Sequence, residues 1–441
     1  LRYNNQHVAV LGAGLSGSAA ALLLKSEGAR VTVLDSAEEK KLLKSTIDNL
    51  RTQEIRVVCG SAADQDSGRY EFVVASPGID PVSPLARNFS SRNIDTIGEL
   101  ELGWRSVEAP VIAVTGTNGK TTTTELLAQM LTACSQATIA CGNIGKPLSE
   151  VARGKKKFDV LTVEVSSFQL ETIKTFRPSI AVWLNFAPDH LDRYRSVAEY
   201  RAAKLRIFEN QTADDIAIVN AIESLPEIRS RKITFSAYTD RADFRLAEGF
   251  IVYENRPVLR LAETKLRGSH NIENLMATLA AGMARGLPFE KMVSPLCAYE
   301  PRPHRCEFVR QIEGVDYVND SKATNLDALE KALLAQSKPV ILIAGGKDKG
   351  FSFEPLRRLV QGKVRSTILI GEMAERIARD WSGALKTELA SSLADAVERA
   401  HAAAKPGEVV LFSPGTSSFD MFRSYADRGD QFRALVQALP K

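Results

Sequence analysis

The segment from Val111 to Met130, VIAVTGTNGKTTTTELLAQM, restricts the possible folds more than any other part of the chain. Val111, Ile112, Ala113 and Val114 form a short apolar run of the kind that becomes a buried strand. Gly116 and Gly119 then permit a tight turn, and Leu126, Leu127, Met130 and Leu131 recur on one helical face. A strand, a glycine turn and a helix in this order bring the unpaired N–H groups and positive dipole end of the helix to one point, where an anion is favoured. Gly116, Thr117, Asn118, Gly119, Lys120, Thr121 and Thr122 therefore read as a phosphate cradle. Lys120 suits terminal phosphate oxygens, and the Thr121 hydroxyl suits a phosphate-bound Mg²⁺. Only Thr117 and Asn118 separate the two glycines, fewer than in the usual nucleoside-triphosphate loop, so the whole order carries the signal. ATP is the expected ligand; an ordinary strand-to-helix turn with a solvated lysine is the alternative.

A chain of 441 residues is too long for one hydrophobic core, and its length suggests about three domains. The balance of 57 Lys plus Arg against 53 Asp plus Glu, a net +4, is too slight to argue for nucleic acid or a membrane surface. No apolar run reaches the roughly 18 residues of a membrane span, and LRYNNQHVAV runs into a strand without a signal-peptide block. Cys59, Cys134, Cys141, Cys297 and Cys306 lack CxxC or Cys/His spacing, and most have apolar neighbours, as small buried groups do. A reducing cytoplasm, with neither disulfide nor zinc, is the expectation.

The chain opens with a second glycine turn. HVAVLGAGLSGSAAALLLKSEGARVTVLD carries Gly12, Gly14 and Gly17 between a strand and a helix, and Asp35 ends the next strand where a ribose-binding acid would sit. By itself this segment leaves NAD, another diphosphate ligand and a structural turn open. A further strand, Phe72–Ala75, delivers Ser76, Pro77 and Gly78, and this domain is expected to close near Leu100. After the phosphate loop come Gly142–Gly145, then a strand over Asp159–Val165 that holds Glu164. A carboxylate in such a run needs a metal or an ion-pair partner. A strand over Ser179–Phe186 leads to Asn185, Pro188, Asp189 and His190; the histidine is a metal or substrate group, or a solvated side chain. The helical stretch Ala198–Glu209 puts Lys204 on the apolar face of Tyr200, Ala203, Ile207 and Phe208. Either the lysine snorkels out, or desolvation favours its neutral amine, which reacts with CO₂. Further strands are expected at Asp214–Asn220 and Arg231–Ser236, with Gly268, Ser269, His270, Asn271 and Asn274 preceding a helix over Leu275–Arg285. A linker at Cys297–Pro303, a candidate hinge, precedes a third α/β unit with strands at Val315–Asn319, Val340–Ala344, Thr367–Ile370 and Val409–Phe412.

These motifs resemble the Mur ligase family along nearly the whole chain: GAGLSG (12–17), TGTNGKTT (115–122), GNIG (142–145), EVSSFQLE (164–171), PDHLDRY (188–194), YRAAKLRIF (200–208), HNIEN (270–274), PHRCE (303–307) and NDSKATN (319–325). SSFQLE and the dinucleotide-like opening resemble the branch that adds D-glutamate. The resemblance implies an α/β fold of three domains: a Rossmann-like first domain (1–100) holding a UDP-sugar, a central P-loop ATPase-type parallel-sheet domain (101–300) holding ATP, and a Rossmann-like C-terminal domain (301–441) holding the amino acid. It implies UDP-substrate contacts by Leu15, Ser16, Asp35, Ser36, Gly78, Asn143 and His190, with Ala37 where family members commonly carry a basic residue. ATP would also meet Asn271, Arg305 and Asp320, and D-glutamate would meet Lys322, Thr324, Lys349 and Ser418. Two Mg²⁺ ions would be held by Thr121, Glu164, His190 and a carbamylated Lys204, and Lys120, His190 and Lys204 would serve catalysis. The implied reaction joins D-glutamate to UDP-N-acetylmuramoyl-L-alanine through an acyl phosphate. A cytoplasmic monomer without nucleic-acid or membrane partners is expected.

Overall fold

The described residues form three sheets in sequence order. The computed structural model describes residues 1–154 and 156–440. The first sheet contains β1 (His7–Leu11), β2 (Arg30–Asp35), β3 (Arg56–Cys59), β4 (Phe72–Ala75) and β5 (Thr96–Gly98), all parallel, in the order β3-β2-β1-β4-β5. Val8, Ala9 and Val10 are fully buried, as a central strand covered on both faces requires. Because the strand order reverses beside β1, the turn after β1 and the one after β4 open on the same crevice. The first turn runs into the helix Leu15–Ser26, and a Cβ on Gly17 would lie 1.8 Å from the Gly12 carbonyl oxygen, so only glycine allows that approach.

The second sheet holds β6 (Val111–Thr115), β7 (Ala140–Gly142), β8 (Leu161–Glu164), β9 (Ile180–Trp183), β10 (Ile216–Asn220), β11 (Arg231–Ser236), β12 (Phe244–Ala247), β13 (Phe250–Tyr253) and β14 (Arg256–Arg260). Their order is β14-β13-β12-β11-β10-β9-β6-β8-β7. From β7 to β12 the pairs are parallel, as expected of a parallel-sheet domain, and β12, β13 and β14 add antiparallel pairs at one edge. The cause is local: Glu248-Gly249 and Glu254-Asn255 supply positive-φ turn residues between runs of alternating character, and the chain folds into consecutive hairpins.

The third sheet contains β15 (Glu307–Ile312), β16 (Val315–Asn319), β17 (Val340–Gly345), β18 (Val364–Ile370), β19 (Lys386–Leu389) and β20 (Val409–Phe412) in the order β15-β16-β20-β17-β18-β19. Among the described residues of this sheet, only β15 runs antiparallel to its neighbour. Helices cover both faces of its buried strands, as in doubly wound folds.

The first two sheets belong to one compact unit, made of Leu1–Phe186, Ala198–Arg260 and Glu273–Leu296; the second unit comprises Ala187–Val197, Leu261–Ile272 and the chain from Cys297. Inside the first unit, the helix Glu99–Ser106 packs on the helix Leu148–Arg153 and joins the two sheets. A correction concerns the HNIEN segment: the helix spans Ser269–Ala284, so His270, Asn271 and Asn274 lie on it and not ahead of it. Of the five cysteines, all free thiols, only Cys141 is buried; the other four are partly exposed, against the expectation of mostly buried groups. Among the described residues no helix is long and apolar enough to cross a membrane.

Candidate active site and its relatives

In the first unit the phosphate loop links β6 to the helix Lys120–Ala133, whose N-cap, Gly119, has φ +86°. That left-handed geometry, and the 2.4 Å that would separate a Cβ from Asn274 Oδ1, reserve the position for glycine. Asn185 braces the loop at three points: its carbonyl accepts from Thr117 N (3.1 Å), its Oδ1 from Asn118 N (2.9 Å), and its Nδ2 donates to the Asn118 carbonyl (3.1 Å). Asn274 Oδ1 accepts from the Thr123 hydroxyl at 3.2 Å. Lys120 Nζ donates to the carbonyls of Gly116 and Thr117, both at 2.9 Å, which holds its charge over the turn. Thr121 and the buried Thr122 begin the helix, so the first-turn N–H groups point into the cradle.

Two charged groups flank this loop. Glu164 ends β8 with 2% of its surface exposed; Oε1 accepts from Asn143 Nδ2 at 2.7 Å, while the buried Oε2 has no hydrogen-bond partner among the described residues. An orphaned carboxylate oxygen beside a phosphate loop fits a cation better than it fits a structural ion pair. Lys204 is 1% exposed, which excludes the snorkelling alternative. Its Nζ donates to the Gly116 carbonyl at 2.8 Å and lies 4.8 Å from the Tyr200 ring centre, and the Tyr200 hydroxyl is 3.3 Å from Thr117 Oγ1. The helix Val197–Leu205 and the 3₁₀ turn Arg206–Phe208 thus deliver lysine and tyrosine to the phosphate loop.

Near β1, Asp35 accepts from Ala13 N and Ala37 N, both at 2.8 Å, one on each carboxylate oxygen. The acid therefore ties the glycine turn to the end of β2, and Ala37 takes part through its backbone. The Ser36 hydroxyl donates to Asp64 at 2.6 Å. Leu15 is exposed at the helix start beside Ser16, and a Cβ on Gly78 would meet nothing within 4 Å, so both turns present open surface.

The second unit assembles the remaining candidates. Asp189 is buried, ion-paired with Lys349, and accepts from Asn325 Nδ2 at 3.0 Å. Burial raises its pKa, but the Lys349 charge, His190 and the hydrogen bonds outweigh burial and leave it below the usual carboxylate value. His190 has φ +55°, donates its N–H to Asp189 Oδ1 at 2.8 Å, and holds Nε2 3.8 Å from Asp189 Oδ2. Lys349 Nζ also reaches the Thr324 carbonyl at 3.3 Å. Asp320, after β16, accepts from Ser413 Oγ (2.8 Å) and Cys306 N (3.1 Å); burial pushes its carboxyl up to about 7. The positive field of Arg305 reaches both Asp320 and His270. Asn271 Nδ2 donates to the Arg267 carbonyl at 2.8 Å, Lys322 Nζ lies 3.9 Å from the Tyr425 ring centre, and Ser418 is buried. Residues outside the sequence-derived set also hold the two units' loops in place: in the first unit Asn185, under the phosphate loop, and Asn274, which meets Gly119 and Thr123, and in the second Arg428, whose guanidinium is buried between the loops after β16 and β20. Asn274 was legible as part of HNIEN, whereas Arg428 stands in an amphipathic helix with no motif around it.

A glycine phosphate loop on the second sheet, in a chain whose first and third sheets are doubly wound, defines a nucleotide-dependent enzyme class. The description "Mur ligase MurD-like, N-terminal domain" matches residues 6–98, "Mur ligase middle domain" matches 114–282, and "Mur ligase, glutamate ligase domain" matches 304–416. The chain belongs to the Mur ligase family. Two curated relatives are named UDP-N-acetylmuramoylalanine--D-glutamate ligase: that of Geobacter metallireducens is 41% identical, and that of Geotalea daltonii 42%, each covering 100% of this chain and 99% of its own length. Among solved structures, UDP-N-acetylmuramate-alanine ligase MurC from Thermotoga maritima aligns at a TM-score of 0.62 with 18% identity, over 98% of this chain and 100% of its own. MurF from Acinetobacter baumannii aligns at 0.62 with 17% identity, over 92% and 90%. These two establish the shared fold.

Proposed function

We infer that this chain is an ATP-dependent ligase that joins D-glutamate to UDP-N-acetylmuramoyl-L-alanine in peptidoglycan precursor synthesis. The observation that carries the reading is full-length similarity to ligases of that name, in a chain whose phosphate loop is braced on both sides by its own residues. Residues 1–100 would bind the UDP-sugar through Leu15, Ser16, Asp35, Ser36, Gly78 and Asn143; residues 101–300 would bind ATP; residues 301–441 would bind D-glutamate through Lys322, Thr324, Lys349 and Ser418. Arg305, Asp320 and Asn271 would serve the nucleotide. The proposed setting is a cytoplasmic monomer.

A carboxylate resists amines until one oxygen becomes a leaving group, so the γ-phosphoryl of ATP first passes to the substrate carboxylate. The amine of D-glutamate then attacks the acyl phosphate, and phosphate leaves from the tetrahedral intermediate. Lys120 and the helix N–H groups hold phosphate charge while it redistributes. Thr121, Glu164 and a carbamylated Lys204 would hold Mg²⁺, a use supported by the orphaned Glu164 oxygen; His190 is included on its motif alone. Bound Mg²⁺ would offset negative charge on the transferring group.

Phosphate release tests the reading: it should require ATP, UDP-N-acetylmuramoyl-L-alanine and D-glutamate together. Turnover with NADH and no need for ATP would replace it with a dehydrogenase. A second prediction concerns the first sheet alone. Because ligand that binds only the folded state raises stability by mass action, the UDP-sugar substrate at about 100 times its Kd should add roughly 2.7 kcal/mol. NAD should add none. Thermal shifts with each ligand check this, and stabilisation by NAD would contradict the assignment of the glycine turn.

A further inference from the structure

One buried hydrogen-bonded arrangement in the second unit that no motif accounts for surrounds Arg428. This side chain is fully buried on the helix Tyr425–Ala438. Its Nε donates to the Ser321 hydroxyl at 3.0 Å, and Nη2 to the Ser321 carbonyl at 2.8 Å. Nη1 and Nη2 both reach the Thr416 carbonyl at 3.2 Å, and Nη1 reaches the Ser417 carbonyl at 3.3 Å. One planar guanidinium thereby joins the loop after β16 to the loop after β20, which are adjacent strands. A third loop leans on the same point. Lys347 N donates to the Ser417 carbonyl at 2.9 Å, and a Cβ on Gly346 would lie 3.2 Å from Arg428 Nη1.

A buried guanidinium held mainly by carbonyls is an uncommon choice for plain packing, because its desolvation is only partly offset. Burial lowers its pKa to about 9, against the opposing fields of Asp420 and Asp320. What the arrangement provides is a fixed spacing: five donors in a rigid fork determine how far apart the two loops stand. The same loops carry Thr324, three residues after Ser321, and Ser418, next to Ser417. Asp320 is anchored separately, by Ser413, by Cys306 N and through its own N–H on the Phe412 carbonyl at 2.7 Å.

We propose that Arg428 is a positioning residue that sets the width of the amino-acid pocket by tying the Ser321 loop to the Thr416–Ser417 loop. It touches no substrate. The proposal rests on the assignment of Thr324 and Ser418 to D-glutamate, and it implies that losing the fork loosens the amino-acid pocket while the separately held Asp320 keeps the nucleotide.

Steady-state kinetics on the full chain test this. In Arg428→Lys, which retains the charge and loses the fork, KM for D-glutamate should rise about tenfold or more, as expected when one or two buried hydrogen bonds fail. KM for ATP and for the UDP-substrate should stay within about twofold. Should Arg428→Lys not fold, Ser321→Ala decides: removing one acceptor should raise KM for D-glutamate by roughly threefold, again without moving KM for ATP. Equal shifts in all three KM values, or a fall in kcat alone, would overturn the proposal and leave Arg428 a structural residue. Wild-type protein that turns over without D-glutamate would instead overturn the functional reading, and the proposal with it.

Discussion

Lys204→Ala is expected to lose about 10³-fold or more in ligation rate while binding the UDP-substrate normally. The side chain is 1% exposed, packed among Tyr200, Ala203, Ile207 and Phe208, and its Nζ lies 2.8 Å from the Gly116 carbonyl of the phosphate loop. An ammonium there would repel a metal cation at the loop. A carbamate, formed if the neutral amine bonds to CO₂ and releases a proton, would place an anion with two oxygens at the same point. Alanine removes both the anion and the volume that holds it. A small carboxylate such as formate can enter the vacated space, and partial recovery of rate is the expected result. The two remaining outcomes are informative: full activity in Lys204→Ala removes the lysine from the mechanism, and a lowered melting temperature without rescue makes it a structural group.

This lysine also marks how far the sequence could be read. Its place on an apolar helical face was visible from spacing, but spacing could not distinguish a snorkelling amine from a buried one. Burial is decided by what packs across the helix, and that information lies far along the chain, in Gly116 and Thr117. The same limit recurs elsewhere. Strands that are buried on both faces, such as Val111–Thr115 and Val340–Gly345, were legible because they are continuous apolar runs. The short or half-polar strands Arg56–Cys59, Thr96–Gly98, Phe244–Ala247 and Lys386–Leu389 were missed, since three or four residues of mixed character carry too little periodicity. Residues proposed to meet phosphate or metal announce themselves by motif. Those that hold the motif in place, Asn185 under the phosphate loop and Arg428 between two others, are ordinary residues whose role comes from a long-range hydrogen bond.

The other large effect is expected at the joint between the first two sheets, where two glutamates on one short helix should respond to pH in opposite directions. Glu101 is buried and accepts from five donors: Lys174 N, Thr175 N and Phe176 N at 2.9 Å each, the Thr175 hydroxyl at 2.6 Å and Arg105 Nε at 2.9 Å. Burial alone would raise its pKa, but these donors outweigh burial and hold it below the ordinary value. Its stabilisation is therefore present above the unfolded carboxyl value and is lost as pH falls through the folded one. Glu101→Gln turns an amide N–H toward those donors and should cost roughly 3–5 kcal/mol near pH 7, the loss shrinking in acid.

Glu99, two residues earlier, is 1% exposed and accepts from Ser149 N at 2.7 Å on Oε1, while Oε2 is buried without a partner among the described residues. Burial, only partly opposed by Ser149, pushes its carboxyl up to about 7. Here the sign reverses. In the folded chain the carboxyl keeps its proton to higher pH than in the unfolded chain, so stability declines as pH rises from the ordinary carboxyl value toward about 7 and stays reduced above it. Each tenfold in proton affinity is worth about 1.4 kcal/mol, so the ionised form withholds roughly 3 kcal/mol. Glu99→Gln imitates the protonated state. It should match wild type near pH 4 and be more stable by up to about 3 kcal/mol at pH 8, a gain readable in denaturant midpoints taken at both values. Equal or lower stability of Glu99→Gln at pH 8 would mean that the buried carboxylate is satisfied by a partner, such as an ordered water at Oε2, and the opposition between the two glutamates would not hold.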